Sequence, residues 1–249
     1  MSASPKPMAE DAKDSPAEGV SSPLSVEWLG LTSYGDGLAL QNDAVADRLA
    51  GRCGDRLLLL EHPAVVTLGR SSDPSNLRVD RAELIERGVE VFEVGRGGDV
   101  TYHAPGQLVG YPILDLDARG RRDVHDHLRR LETGLIDALE ELGIAACRVP
   151  GWTGVFVDRG RSAESGLAER KIASIGVGLR KWVTLHGFAL NVSLDLAGFD
   201  PIVPCGLHGV EMTSVARELE REGRVEGFAP GHLDSIVRSA VSAAMLNAL

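Results

Sequence analysis

Arg96-Gly-Gly-Asp-Val-Thr-Tyr-His103, continued by Ala104-Pro-Gly-Gln107, is the densest polar and glycine-rich run in the chain. It is not a G-x-G-x-x-G turn, and no P-loop occurs elsewhere. Those absences favour an α+β domain with a mixed sheet over a doubly wound one. The glycines leave backbone N–H groups free to hold a carbonyl or phosphate oxygen. Thr101 and His103 alternate with Tyr102, so on a strand they share a face. His103 can then act as acid, base or hydrogen-bond donor; a β-bulge with a structural arginine is the alternative.

Around this run, strands are expected at Val26–Leu31, Leu57–Leu60, Ala64–Leu68, Val89–Val94, Val155–Val157 and, with one internal proline, Gln107–Leu116. The segment Ile172–Val192 reads as two strands. Its Gly176, Gly178 and Gly187 point to close backbone approach or to a ligand lying on the sheet. Asp36 is positioned to cap a helix with Leu38, Val45 and Leu49 on one face. A short helical pattern follows at Ala82–Arg87, and a C-terminal helix is expected at His232–Leu249 with Ile236, Val237, Ala240 and Ala244 inward. Between them, Asp123 opens a helix to about Leu142, with Leu128, Leu131, Leu135 and Leu139 at helical spacing and Gly143 as its stop. Strands and helices alternate irregularly, without internal repeats. Residues 158–170 are polar and uneven and read as a mobile loop. Residues 1–25, rich in Ser, Pro, Ala and acid, read as a disordered tail without a secretory h-region or an Arg-rich amphipathic face. One domain is expected over residues 26–249, with residues from about 200 as a smaller C-terminal subdomain.

A chain of 249 residues with 43 % hydrophobic and 25 % charged content can bury a sizeable core. The formal charge of −10 argues against nucleic acid as a partner. Arg119, Arg121, Arg122, Arg129 and Arg130 form the best candidate for a local basic patch toward an acidic partner, against the usual fate of a solvated helix face. No apolar run reaches the ~18 residues that signal a membrane span. Cys53, Cys147 and Cys205 are odd in number and lack paired spacing, which disfavours a disulfide framework or a zinc site and fits a reducing cytosol. Cys53 and Cys147 read as structural.

Cys205 is framed by Pro204 and Gly206, a rigid and tight stretch of backbone. Such a thiol can be held at a pocket wall and form a thioester; a plain buried cysteine is the competing reading. Lys171 enters the strand-like run Lys-Ile-Ala-Ser-Ile-Gly, where it can point into a pocket or remain solvated. A free thiol is only a few per cent thiolate at neutral pH, and a cation within ~4–6 Å favours the charged form. Thr184-Leu-His-Gly-Phe-Ala-Leu-Asn191 places His186 and Gly187 in an apolar strand, where a lone histidine is more often a satisfied core group. His103, His186 and His208 lack the carboxylate spacing of a metal site.

Together these stretches resemble the lipoyl(octanoyl) transferase family of lipoate biosynthesis, over roughly Val26 to Leu219. Glu61-His-Pro and Thr67-Leu-Gly-Arg70 look like the early motif. Arg96–Gln107 looks like the signature Arg-Gly-Gly-x-x-Thr-x-His-x-Pro-Gly-Gln, with Ala104 at a position often held by glycine. Lys171–Gly176 with Thr184–Asn191 looks like the central strand pair, and Pro204-Cys205-Gly206 like the nucleophile motif. The resemblance implies a mixed sheet flanked by helices, as in biotin- and lipoate-protein ligases. It implies octanoyl transfer from octanoyl-acyl carrier protein to a lysine of a lipoyl domain, in the cytoplasm, with no cofactor or metal. The acceptors implied are the 2-oxoacid dehydrogenase complexes and the glycine cleavage H protein. By the same resemblance Cys205 carries the acyl group as a thioester, and Lys171 stabilises its thiolate and then serves as acid and base. Arg96, Gly97, Gly98, Asp99, Val100, Thr101, Tyr102 and His103, with Ser174, Ile175, Gly176, Gly187, Phe188 and Ala189, line the acyl and thioester site. An ATP-dependent ligase on the same fold, a non-catalytic module that docks lipoyl domains and a hydrolase are the competing readings.

Overall fold

Leu57, Leu58, Leu59 and Leu60 are all buried, so the segment that holds them needs cover on both faces. In the computed structural model, which describes residues 23–157, 169–224 and 231–249, this segment is β2 (Arg56–Glu61). It lies between β1 (Ser25–Leu31), which runs parallel to it, and β6 (Gln107–Ile113), which runs antiparallel. The sheet continues through β10 (Val183–Asn191), β9 (Glu169–Arg180), β8 (Val155–Val157) and β7 (Ala146–Cys147). At the start of β9 a further strand, β11 (Val210–Met212), pairs in parallel. A second sheet has the order β4 (Glu90–Glu93), β3 (Val65–Leu68), β5 (Val100–His103). Parallel and antiparallel pairs coexist in both sheets, which is the mixed architecture expected.

Helices cover the large sheet on both faces. On one face, α1 (Tyr34–Leu49) packs Ala44 and Val45 against Ile113 and Val183. Its cap is Ser33 and not Asp36: the Ser33 hydroxyl oxygen accepts from the Asp36 N–H at 3.1 Å, so Asp36 sits inside the first turn. The buried face is Tyr34, Gly37, Gln41, Ala44 and Val45, while Leu49 is exposed, because α1 is phased by its contact with His62 and β10. On the other face, α3 (Val124–Glu141) and α5 (His232–Ala248) build the main core. Leu131, Leu135 and Leu139 of α3 meet Val237, Val241 and Met245 of α5 above Leu57, Leu108, Ile172 and Leu190 of the sheet. Val215 and Leu219 of α4 (Val215–Arg221) share this core. The short helix α2 (Arg81–Glu86) lies beside β4, with Leu84 in the small-sheet core.

Several sequence expectations change. The strand expected to reach Leu116 ends at Ile113, where the Thr184 hydroxyl takes over the Leu114 N–H at 2.9 Å. The tail expected over residues 1–25 lies outside the described residues as far as residue 22; Leu24 packs on the core and Ser25 opens β1. The loop expected at 158–170 likewise lies outside them up to 168, and Glu169 and Arg170 already belong to β9.

The arginines of the basic patch are paired with acids or with a helix end. Arg122 is held by Asp117 at 2.6 Å, Arg129 by Glu132 at 2.5 Å and Arg130 by Asp126 at 2.7 Å. Arg119 bonds Asp55 at 2.5 Å, and Arg119 and Arg121 both donate to the Leu249 carbonyl at the end of α5. These arginines neutralise acids and cap a helix C-terminus, where cations are favoured. Arg119 is thus an internal tie, while Arg122, Arg129 and Arg130 remain at the surface in local ion pairs.

Candidate active site

Pro204–Gly206 is a single 3₁₀ turn, and within it Cys205 adopts φ 56° and ψ 19°. A non-glycine residue in this left-handed region costs about 1–3 kcal/mol and persists only where its surroundings enforce it. The turn projects the Cys205 thiol into a cavity of about 230 Å³ between the two sheets.

Lys171 meets this thiol. Its side chain is 1 % exposed, and Nζ lies 3.2 Å from Cys205 Sγ and 3.1 Å from the Thr153 carbonyl. The ammonium also sits over the Phe156 ring, 5.6 Å from its centre. Among the described residues no carboxylate pairs with it. A buried ammonium without a carboxylate is costly, and a thiolate at Cys205 would be the anion placed to relieve it.

A β-bulge places the lysine. Val155 pairs with Ala173, but Phe156 pairs with Lys171, so β9 carries one extra residue there. That residue resets the alternation and puts Lys171 on the face of Ser174, whose hydroxyl lies 3.7 Å from Cys205 Sγ. Gly154 makes room: a Cβ there would sit 2.8 Å from Lys171 Cε and 2.6 Å from the Ala173 carbonyl. Glu132 of α3, fully buried, accepts the Gly154 N–H at 3.2 Å and so anchors the loop that carries Thr153.

Burial alone would raise the Cys205 pKa. The charge and hydrogen bond of Lys171, the Ser174 hydroxyl and the Arg96 charge outweigh it, and the net shift is downward. This is the signature of an activated thiol.

The cavity is lined by Cys205, Lys171, Ser174, Ile175, Gly176, Gly187, Phe188, Ala189, Arg96, Gly98, Asp99, Thr101 and His103, all expected from the sequence. Gly97, Val100 and Tyr102 do not line it. Val100 and Tyr102 alternate to the opposite face of β5, into the small-sheet core with Phe199. Gly97 turns its N–H to the Val177 carbonyl at 2.8 Å. The sheet glycines serve close backbone approach: a Cβ on Gly176 would lie 2.8 Å from the Gly97 carbonyl, and one on Gly187 2.3 Å from the Gly110 carbonyl. His208 is exposed and outside the cavity.

Arg96 is buried and spends its guanidinium on structure, donating to the Thr67 carbonyl at 2.8 Å and to the Thr67 hydroxyl at 2.9 Å. His103 Nδ1 lies 2.7 Å from Gln107 Oε1. Gln107 Nε2 already donates to Asn191 Oδ1 at 2.9 Å, so the glutamine oxygen accepts and His103 carries its proton on Nδ1. Burial, aided by neighbouring His62, pulls the His103 pKa down to about 3, and burial pulls that of His186 down to about 4. Both are neutral near pH 7, which leaves His103 a poor general acid there.

Sequence reading missed Tyr34, Tyr111, Trp152, Thr153 and Leu207 in the lining. The glycine-bounded Gly151-Trp-Thr-Gly154, just before a strand, was a signal available for two of them. Tyr34 and Tyr111 carried none, since each reaches the cavity through an otherwise ordinary helix or strand.

A protein-family profile described as the lipoyl protein ligase A/B catalytic domain matches residues 33–236. The octanoyltransferase of Geobacter sulfurreducens is 50 % identical over 198 residues, covering 80 % of this chain and 77 % of that protein. This chain belongs to the octanoyltransferases, an acyltransferase family. The Rhodococcus opacus octanoyltransferase is 44 % identical over 92 % of this chain and 83 % of its own. The Myxococcus xanthus octanoyltransferase is 48 % identical over 80 % of this chain, which spans only about half (54 %) of that longer relative. Among solved structures, lipoate-protein ligase A bound with ATP superposes with a TM-score of 0.63 at 18 % identity, over 90 % of this chain and 84 % of its own. A bi-partite lipoate protein ligase from Thermoplasma acidophilum, described with its E2 lipoyl domain, gives 0.58 at 18 % identity over the same shares. These likenesses establish that the octanoyltransferase shares the lipoate-ligase fold. Among its described residues there is no cluster of metal ligands and no helix long and apolar enough to cross a membrane.

Proposed function

We propose that this octanoyltransferase moves the acyl group from octanoyl-acyl carrier protein to Cys205 and then to a lysine of a lipoyl domain. The observation that carries the reading is the 3.2 Å approach of a buried, carboxylate-free Lys171 ammonium to the Cys205 thiol. The Cys205 thiolate attacks the donor thioester carbonyl. A new C–S bond forms, the donor C–S bond breaks, and the carrier leaves as a thiol that takes its proton from Lys171. The acceptor amine then attacks the Cys205 thioester. An amide C–N bond forms, Cys205 departs as thiolate and Lys171 recovers the amine proton. Thioester is exchanged for thioester in the first half, so no ATP is needed, and amide formation draws the second half forward.

The glycine run and the N–H groups near Cys205 supply candidate donors for the oxyanion, a contribution of ~3 kcal/mol in comparable sites. Val109, Ile175, Phe188 and Ala189 give the cavity its apolar wall. Burying the octanoyl chain contributes about 5 kcal/mol at ~0.8 kcal/mol per methylene. The acceptors are the lipoyl domains of 2-oxoacid dehydrogenase complexes and the glycine cleavage H protein. The work is done in the cytoplasm, where a thiol carrier stays reduced.

Intact-mass measurement after mixing with octanoyl-acyl carrier protein, without ATP, tests the reading. A single octanoyl adduct mapping to Cys205, and discharged by a lipoyl domain, is expected. No adduct at saturating donor, or full transfer by Cys205→Ser, overturns the thioester route; release of free fatty acid in place of transfer makes the protein a hydrolase.

A further inference from the structure

The turn that carries Cys205 is held from a segment to which no role was given by the sequence motifs. Residues 76–78 run antiparallel to 201–203: the Arg78 N–H donates to the Pro201 carbonyl at 2.8 Å, Leu77 bridges Ile202, and the Val203 N–H donates to the Asn76 carbonyl at 2.8 Å. Asn76 is 8 % exposed, and its Nδ2 donates to Asp99 Oδ2 at 2.5 Å. The other Asp99 oxygen accepts the Val100 N–H at 2.6 Å and the Asp73 N–H at 3.3 Å, so the carboxylate is fixed on both sides. Both groups press on the residue after the thiol: a Cβ on Gly206 would lie 2.7 Å from Asp99 Oδ2 and 3.2 Å from Asn76 Nδ2. Gly206, at φ 65°, therefore packs where no side chain fits, directly after the left-handed Cys205.

We propose that Asn76 is a positioning residue of the transfer reaction. Its bond to Asp99 clamps the Cys205–Gly206 turn and keeps Sγ within reach of Lys171. Asn76 lines no part of the cavity and acts only through the turn. Without the clamp, the strained Cys205 backbone relaxes to negative φ and swings its side chain away from the ammonium. This inference rests on Cys205 being the reacting thiol.

The test uses the full chain and three variants: Asn76→Ala, Asn76→Asp, and the exchange Asn76→Asp with Asp99→Asn. In the exchange the new amide at 99 donates to the new carboxylate at 76, while its oxygen still accepts the two backbone N–H groups. Iodoacetamide alkylation of Cys205, followed by peptide mass against pH, reports the thiolate directly; kcat and donor KM report turnover. Both single variants are expected to lose about tenfold in alkylation at neutral pH, equivalent to roughly 1.4 kcal/mol of thiolate stabilisation. Their kcat falls while donor KM stays within about twofold, the pattern of a transition-state loss; because Asp99 lines the cavity, the exchange is read by alkylation, most of which it recovers. An alkylation profile in folded Asn76→Ala that overlays the parent's, or a folded exchange variant as impaired as Asn76→Asp, overturns the clamp. If the single variants do not fold, the exchange alone decides: parent-like alkylation supports the clamp, and alkylation slowed about tenfold refutes it. A parent that never forms a Cys205 thioester, while the alkylation shifts still appear, sinks the transfer mechanism and leaves the clamp standing.

Discussion

Lys171→Met keeps the length and apolar stem of the side chain, and with them the packing on Phe156 and Gly154, but removes the charge. At the observed 3.2 Å to Cys205 Sγ, unit charges attract by about 5 kcal/mol at an effective dielectric near 20. Burial of the thiolate opposes this, and Ser174 and Arg96 still support the anion when the lysine is gone. Only part of the 5 kcal/mol therefore appears as lost thiolate. Retaining even a third of it means a loss of about tenfold or more in thiolate at neutral pH, since ~1.4 kcal/mol is a factor of ten. Alkylation of Cys205, mapped by mass to separate it from Cys53 and Cys147, should slow by at least that factor, with its pH profile moved upward. Turnover should fall further, because the group that shuttles the leaving-thiol and amine protons is absent. The pair also links stability to pH. Its contribution is present above the ordinary thiol range and is lost as pH falls through the depressed Cys205 pKa. Lys171→Met should flatten that dependence. An alkylation profile identical to the parent's would remove Lys171 from thiolate stabilisation, whatever its effect on turnover.

Other outcomes follow from the packing. Gly154→Ala, at φ 127° with its Cβ against Lys171 and the Ala173 carbonyl, should cost about 1–3 kcal/mol in urea unfolding and slow Cys205 alkylation; unchanged alkylation would show that Lys171 has other room. Arg119→Glu should reduce stability by about 1–3 kcal/mol, because the 2 % exposed Asp55 loses one of its two arginines, keeping Arg48 at 2.7 Å, while donor affinity at fixed salt stays unchanged in whatever fraction folds. His127 is buried with its pKa pulled down to about 4, chiefly by burial. The unfolded chain takes up that proton near pH 6.5, so stability should fall by roughly 3 kcal/mol between pH 6.5 and 4, and His127→Gln should remove that part of the slope in thermal unfolding.

The longer strands and helices were legible from the sequence because period-2 and period-3.6 apolar patterns report directly on burial, whereas the short β7, β11 and α4 were not. The run 57–60, the leucines of α3 and the C-terminal helix are the clearest cases. Cap positions were less so: Ser33 and Asp36 are both good capping residues, and only the packing of α1 on His62 and β10 selects the first. The partners of Arg119, Arg121 and Arg129, namely Asp55, the end of α5 and Glu132, were not legible, because they come from distant elements or buried positions.

By itself the sequence determined the chemistry available: a thiol between proline and glycine, a lysine entering a strand, and a glycine run that leaves backbone exposed. It could not place Lys171 and Ser174 together, because strict strand alternation puts residues three apart on opposite faces. One extra residue in β9, visible only when β8 is laid beside it, reverses that parity. Likewise nothing local marks Asn76 as the neighbour of Gly206; the two meet because residues 76–78 and 201–203 pair across the molecule. Residue types are local and can be read in order. The distance between a thiol and an ammonium is a property of the folded pairings, and the tertiary structure alone decided it.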